Sequence, residues 1–152
     1  MPKKKPAAKI KVVYTYGAFD LFHSGHVELL RDAKKLGDYL VVGLFTDKVA
    51  AGFKREPIIS FSNRKNVLEH CLFVDKVVTQ DELQPDKNIL KLKPHILAKG
   101  PGAGWDPKIK EVPGEDAIHT VGGKVVRLSY HKGISTSEII KKITTNHARH
   151  SL

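Results

Sequence analysis

IKVVYTYGAFDLFHSGHVELLRDAKKLGDYLVVGLF, residues 10–45, is the stretch that decides the fold. Ile10–Tyr16 is β-branched and aromatic and stops at Gly17, the composition of a strand. Beyond the turn, Val27, Leu29, Leu30, Ala33 and Leu36 recur at helical spacing until Gly37 supplies a stop. Tyr39–Phe45 is a nearly continuous apolar run, as a parallel strand buried on both faces requires. Strand, helix and strand within about 35 residues make a βαβ unit.

The alternation continues downstream. Ser60 or Ser62 can cap a helix to about His70, with Val67, Leu68 and Cys71 on one side. Val74–Val78 reads as a third strand, Asp81–Leu92 as a helix and His95–Ala98 as a short fourth strand. The Gly/Pro-rich loop KGPGAGWDP follows, then a short helix within Val112–Thr120. Lys124–Leu128 reads as a fifth strand after the Gly122–Gly123 turn, and Ile139–Ile143 as a closing helix capped from Ser135–Ser137. This order predicts an α/β fold, a doubly wound parallel sheet of about five strands in a single domain. Ligands then belong at the carboxyl ends of the strands, near the switch point. The domain is expected over 10–146, between a basic disordered tail at 1–9 and a C-terminal tail at 147–152.

The formal charge of +10 invites a nucleic-acid reading, but Lys3, Lys4, Lys5, Lys9 and Lys11 supply half of it. What remains suits a protein that handles phosphates. RNA or DNA binding calls for basic residues interleaved with exposed aromatics, and Trp105 with a few Tyr offers little of that, so nucleic acid is the weaker reading. No apolar run approaches the roughly 20 residues of a membrane span. The start, MPKKKPAAKIK, has no apolar stretch of the signal-peptide kind, and Cys71 is the only cysteine, so a reducing, cytoplasmic location is expected.

HSGH, His23–His26, falls at the mouth of the first helix, where backbone N–H groups and the helix dipole hold phosphates. His23 and His26 are three apart and project to one side if the turn is helical. Gly25 lets a phosphate approach the backbone. Two imidazoles there can donate to phosphate oxygens and stabilise charge developing on a leaving pyrophosphate. The same pair can instead ligate a metal, though His-x-x-His lacks a third ligand nearby, or sit on the surface without a role.

GAFDLFHSGH resembles the GxFDxxHxGH signature of the cytidylyltransferase-like nucleotidyltransferases, and GISTSEIIKKI, Gly133–Ile143, resembles their second signature, GISTSxII. The resemblance spans roughly residues 10–145. It implies a Rossmann-like sheet and direct in-line attack of a substrate phosphate oxygen on the α-phosphorus of a nucleoside triphosphate. Pyrophosphate leaves with Mg²⁺ assistance and no covalent enzyme intermediate forms. By position, His23 and His26 match the histidines that bind and polarise the triphosphate. Gly17, Ala18 and Phe19 match the backbone beside the nucleotide, and Asp20 matches a motif acid whose role reads as structural. Ser135, Thr136 and Ser137 match the hydroxyl-bearing helix start that contacts phosphates. In KVAAGFKREP, the counterpart of a mobile loop, Lys54 is the first choice for a phosphate-reaching catalytic cation and Arg55 the second. Arg64 matches a commonly basic position and is a further candidate phosphate contact. A homodimer is the family's usual state.

The substrates divide the chain. The N-terminal half looks most like cytidylyltransferases acting on small phosphorylated alcohols, whereas PHILAKG, KEVPGEDAI and VGGKVVRL look more like adenylyltransferases that activate heptose 1-phosphate. CTP is the favoured nucleotide, with ATP and a sugar phosphate the alternative. A non-catalytic nucleotide- or RNA-binding module is the reading from another class. The chain departs from both patterns at KGPGAGWD, where the heptose type has KGGD, and at Tyr130 and His131, where the lipid-precursor type has Arg-Thr. Lys99, at the end of the fourth strand, faces the cleft in this topology and can touch the nucleotide or the acceptor phosphate. Trp105 can stack on a base or anchor its loop.

Overall fold

The computed structural model describes residues 9–101 and 112–150. Trp105 and nearly all of the basic tail expected at 1–9 lie outside the described residues, as do 151–152. Five parallel strands are ordered β3-β2-β1-β4-β5, from β1 (Val12–Gly17), β2 (Tyr39–Phe45), β3 (Lys76–Gln80), β4 (Ile96–Lys99) and β5 (Lys124–Arg127). The expected Rossmann-like α/β sheet is therefore present. Its switch point falls between β1 and β4.

Side-chain alternation along the strands builds two cores. Val13, Leu40, Val42, Leu44, Ile96 and Ala98 pack on one face with Leu30 and Ala33 of α1 (Ser24–Lys34) and Leu68 of α3 (Phe61–Glu69). On the other face, Tyr14, Val41 and Leu97 pack with Ile89 of α4 (Asp86–Leu92) and Ala117 and Ile118 of α5 (Glu115–Thr120). A fully buried leucine such as Leu30, Leu40 or Leu97 stabilises the fold by about 1.5–3 kcal/mol. Under the second face, buried Tyr14 donates to Gln80 Oε1 at 2.6 Å and accepts from Asn88 Nδ2 at 3.0 Å. Burial pushes its phenol up to about 12, so it stays a donor. Gly43 stands opposite because a Cβ there would lie 1.9 Å from Tyr14 Oη.

The structure differs from the sequence expectation at four places. KVAAGF is not loop but part of a helix, α2 (Asp47–Phe53), whose N-cap Thr46 accepts from the Val49 amide at 3.2 Å. The third strand begins at Lys76 rather than Val74, because the Val74 amide closes a turn onto the Cys71 carbonyl. α4 begins at Asp86, since Gln80 Nε2 holds the Glu82 and Leu83 carbonyls and Pro85 precedes the first turn. The closing helix, α6 (Thr136–His150), is much longer than Ile139–Ile143 and continues through 147–150. Among the described residues no helix is long and apolar enough to cross a membrane.

Candidate active site

The turn after β1 is strained and then pinned. Phe19 and Leu21 both take left-handed φ angles, 50° and 48°, each of which costs a bulky residue about 1–3 kcal/mol. Burial of Phe19 in the first core offsets part of that cost. Between them, buried Asp20 turns its carboxylate inward, where Oδ2 accepts from the Ile58 amide at 2.8 Å and Oδ1 from the Ile59 amide at 2.9 Å. Its structural role is as the sequence suggested. Arg64 closes the same knot, and here the sequence expectation is corrected. Only 2% exposed, it donates from Nε to the Ile59 carbonyl, from one terminal nitrogen to the Ala18 carbonyl and from the other to Asp47 Oδ1. Its guanidinium is taken up by three protein oxygens and is not among the groups lining the cleft, so it braces the turn rather than facing the cleft.

HSGH caps its own helix. His23 is the N-cap of α1; its Nδ1 accepts from the Gly25 amide at 3.1 Å, while His26 Nδ1 accepts from the His23 amide at 3.3 Å. Both Nδ1 atoms are acceptors, so in each neutral ring the proton sits on Nε2, the atom left to donate outward. The rings stack with centroids 3.8 Å apart. Burial, and then the neighbouring charge of His23, push His26 down to about 3, against an opposing influence from Asp20. Burial also lowers His23. Near neutral pH the pair is thus two uncharged donors held rigidly at a helix N-terminus. Gly25 is required by contact: a Cβ would lie 2.9 Å from the His23 ring.

The second motif meets the first. His23 Nε2 lies 3.3 Å from Thr136 Oγ1, whose hydroxyl donates to the Asp20 carbonyl at 3.0 Å. Ser135 Oγ accepts from the Glu138 amide at 3.1 Å, which opens the N-terminus of α6 beside that of α1. Two positive helix ends then face one space. Lys54, the residue after α2, donates to Ser137 Oγ at 3.0 Å and Arg55 reaches the same oxygen at 3.4 Å. Neither forms an ion pair with an acid among the described residues. Partial burial and the adjacent Arg55 lower the Lys54 amine.

These groups line one cleft of about 710 Å³ at the carboxyl ends of the strands. It collects Gly17, Ala18 and Phe19 from the turn, His23, Gly25 and His26 from α1, Lys54 and Arg55, Lys99, and Ser135, Thr136 and Ser137. Every predicted site residue except Arg64 is there. The cleft has two sides. His23 and His26 stand at the head of α1, over the first core. Lys99 follows Ala98 in β4 and so faces the second core, its Nζ 4.7 Å above the Tyr16 ring. Burial lowers this amine, and no acid pairs with it among the described residues. Tyr16, Phe45 and Phe53 form an aromatic run beneath it, with centroids 5.9 and 6.1 Å apart.

Sequence reasoning missed that aromatic floor. Its signal was the aromatic residues ending two adjacent strands. It also left His131 without a role, although His131 lines the cleft and its ring faces Glu28 and Asp32 of α1. The spacing of those two acids, one helical turn apart, was legible.

The family described as cytidylyltransferase-like matches residues 14–142. The bifunctional protein HldE of Citrifermentans bemidjiense is 42% identical over 139 residues, which cover 90% of this chain and 28% of that protein. The protein of the same name in Campylobacter concisus is 46% identical over 138 residues, 89% of this chain and 27% of the relative. The chain thus spans little more than a quarter of the length of these relatives. Among solved structures, the lipopolysaccharide core biosynthesis protein from Thermoplasma volcanium GSS1 is similar, with a TM-score of 0.70 and 30% identity. That match covers 82% of this chain and 100% of the other.

Proposed function

Because this chain belongs to the cytidylyltransferase-like family of nucleotidyltransferases, we propose that it is an adenylyltransferase that activates a sugar 1-phosphate with ATP. The single observation that carries the chemistry is the His23–His26 pair, two neutral Nε2 donors at a helix N-terminus whose neighbour across the cleft is the Ser135–Ser137 helix start. Such donors stabilise charge where it develops, on the departing pyrophosphate. In the proposed step an oxygen of the sugar phosphate attacks the α-phosphorus of ATP. The bond from that phosphorus to the α–β bridging oxygen breaks, and its electron pair leaves with pyrophosphate. In this reading Lys54 and Arg55, both at Ser137 on the cleft wall, neutralise the triphosphate.

For the base and acceptor, support comes from the heptose-type resemblance of the C-terminal half. It also comes from relatives named HldE and from the structurally similar lipopolysaccharide core biosynthesis protein. These weigh for ATP over the CTP reading that the N-terminal half suggested. Mg²⁺ belongs to the same proposal. Among the described residues no group of three or more His, Cys, Asp or Glu can hold a metal ion, and Asp20 is spent on backbone amides. The ion therefore fits as a companion of the triphosphate, where it supplies charge neutralisation. The homodimer is likewise a proposal, tested by the mass in solution.

Pyrophosphate release with each of the four nucleoside triphosphates, against sugar 1-phosphates and phosphorylated alcohols, tests the reading. ATP with a hexose or heptose 1-phosphate is the expected pair. Release with CTP and a phosphorylated alcohol would move the assignment to a cytidylyltransferase, and no release with any pair would remove the enzyme.

A further inference from the structure

The side of the cleft opposite His23 and His26 carries an aromatic strip that the fold leaves partly open. Tyr16 comes from β1 and Phe45 from the end of β2, where Phe45 is buried. Phe53 ends α2 directly before Lys54 and meets Phe45 edge-on, with 64° between the ring planes. Phe53 stays 42% exposed, and Leu83, which also lines the cleft, 44% exposed. Apolar surface left open inside a concave site marks where a ligand lies.

What covers this strip must also answer Lys99. Its Nζ stands 4.7 Å above the Tyr16 ring, with no acidic partner among the described residues. From there the ring centroids step by 5.9 Å to Phe45 and by 6.1 Å to Phe53. The fitting ligand therefore carries an anionic group and an apolar face close together. A sugar 1-phosphate does so: one oxygen joins its phosphate to the ring, and the C–H groups of the ring gather on a face that can lie on an aromatic side chain. A phosphorylated open-chain alcohol has no such face. In ATP the whole ribose stands between the phosphates and the flat base.

We propose that Phe53 determines acceptor specificity, as the platform on which the sugar ring lays its C–H face, with Leu83 as a second apolar wall and Lys99 at the phosphate. The inference rests on the sugar 1-phosphate reading proposed above and names the surface that would select it.

The test compares kcat/KM for glucose, mannose and heptose 1-phosphates with that for glycerol 3-phosphate, the open-chain control, in the presence of ATP. Where glycerol 3-phosphate is not turned over, its inhibition constant against the sugar 1-phosphate replaces kcat/KM. In Phe53→Ala the best sugar 1-phosphate is expected to lose about tenfold or more, mainly through KM. The ATP KM should stay within about twofold, and glycerol 3-phosphate should lose less, so selectivity for the ring narrows. Phe53→Tyr, which keeps the flat face, should recover the selectivity. A merely structural role would weaken both acceptors alike, and that result overturns the proposal. So does a sugar KM within about twofold of wild type, or a rise in the ATP KM in its place. If Phe53→Ala does not fold, Phe53→Leu, which keeps bulk without the flat face, decides by the same ratio. Wild-type protein that releases no pyrophosphate with any sugar 1-phosphate removes the proposed function and this inference with it. Unchanged selectivity in the variants of an active enzyme removes this inference alone.

Discussion

Thr136 Oγ1 stands 3.3 Å from His23 Nε2 and 3.0 Å from the Asp20 carbonyl, so one hydroxyl joins α6 to the turn after β1 across 113 residues. Thr136→Val keeps the shape and removes the hydroxyl, leaving a carbonyl and an imidazole N–H without this partner. The expected cost is about 1–2 kcal/mol of stability, read from urea midpoints. Turnover should fall by about tenfold or more, because His23 is no longer held at its angle. Thr136→Ser should recover both quantities. A Val variant that matches wild type in both would leave the contact without consequence.

His26 supplies a pH prediction. Its folded value is about 3 against 6.5 for a free imidazole, so between those limits the unfolded chain carries a proton there that the folded chain lacks. The stability linked to His26 is therefore complete above 6.5 and is lost as the pH falls through that window. The slope is at most about 1.4 kcal/mol per pH unit. His26→Asn should have a flatter stability profile than wild type between about pH 4 and 7, measured by denaturant unfolding. The same variant should lose turnover by orders of magnitude while remaining folded. Parallel profiles for the two proteins would contradict the depressed value.

Arg64 separates positioning from phosphate contact. Arg64→Lys keeps the charge but cannot reach the Ile59 carbonyl, the Ala18 carbonyl and Asp47 together. A loss of about 2–4 kcal/mol is expected from the orphaned acceptors, seen as a lower unfolding midpoint. Triphosphate affinity of the folded fraction should stay within about twofold of wild type. Weakened nucleotide binding at unchanged stability would return Arg64 to the cleft.

Much of this architecture was legible because burial and chemistry left the same marks. Tyr39–Phe45 could be read to its end residues because both faces of β2 are covered, which makes the run apolar throughout. α2 left no such mark. Of its seven residues only Ala50 is buried, so no apolar stripe forms, and Thr46 followed by Asp47 was its one local signal. In the site, His23 and His26 could be found because a helix mouth demands short-range spacing. The surroundings of Arg64 and His131 could not, because apart from Ile59 their partners lie 17 to 103 residues away and only the folded sheet brings them together.

Lys99 tests how the two substrates share the cleft. An in-line displacement needs the incoming oxygen and the departing pyrophosphate on opposite sides of the α-phosphorus. With pyrophosphate at the heads of α1 and α6, the acceptor must enter from the side of α4 and α5. There Lys99 Nζ sits above Tyr16 without an acidic partner among the described residues. Lys99→Met should raise the acceptor KM by about tenfold or more while the ATP KM stays within about twofold. Burial lowers the amine, so as the pH rises its charge is lost earlier than that of a free lysine. The acceptor KM of wild type should therefore climb at alkaline pH, and Lys99→Arg should flatten that climb because a guanidinium keeps its charge. If instead the ATP KM rises in Lys99→Met, the lysine holds the triphosphate, and the two substrates occupy the cleft in the reverse sense.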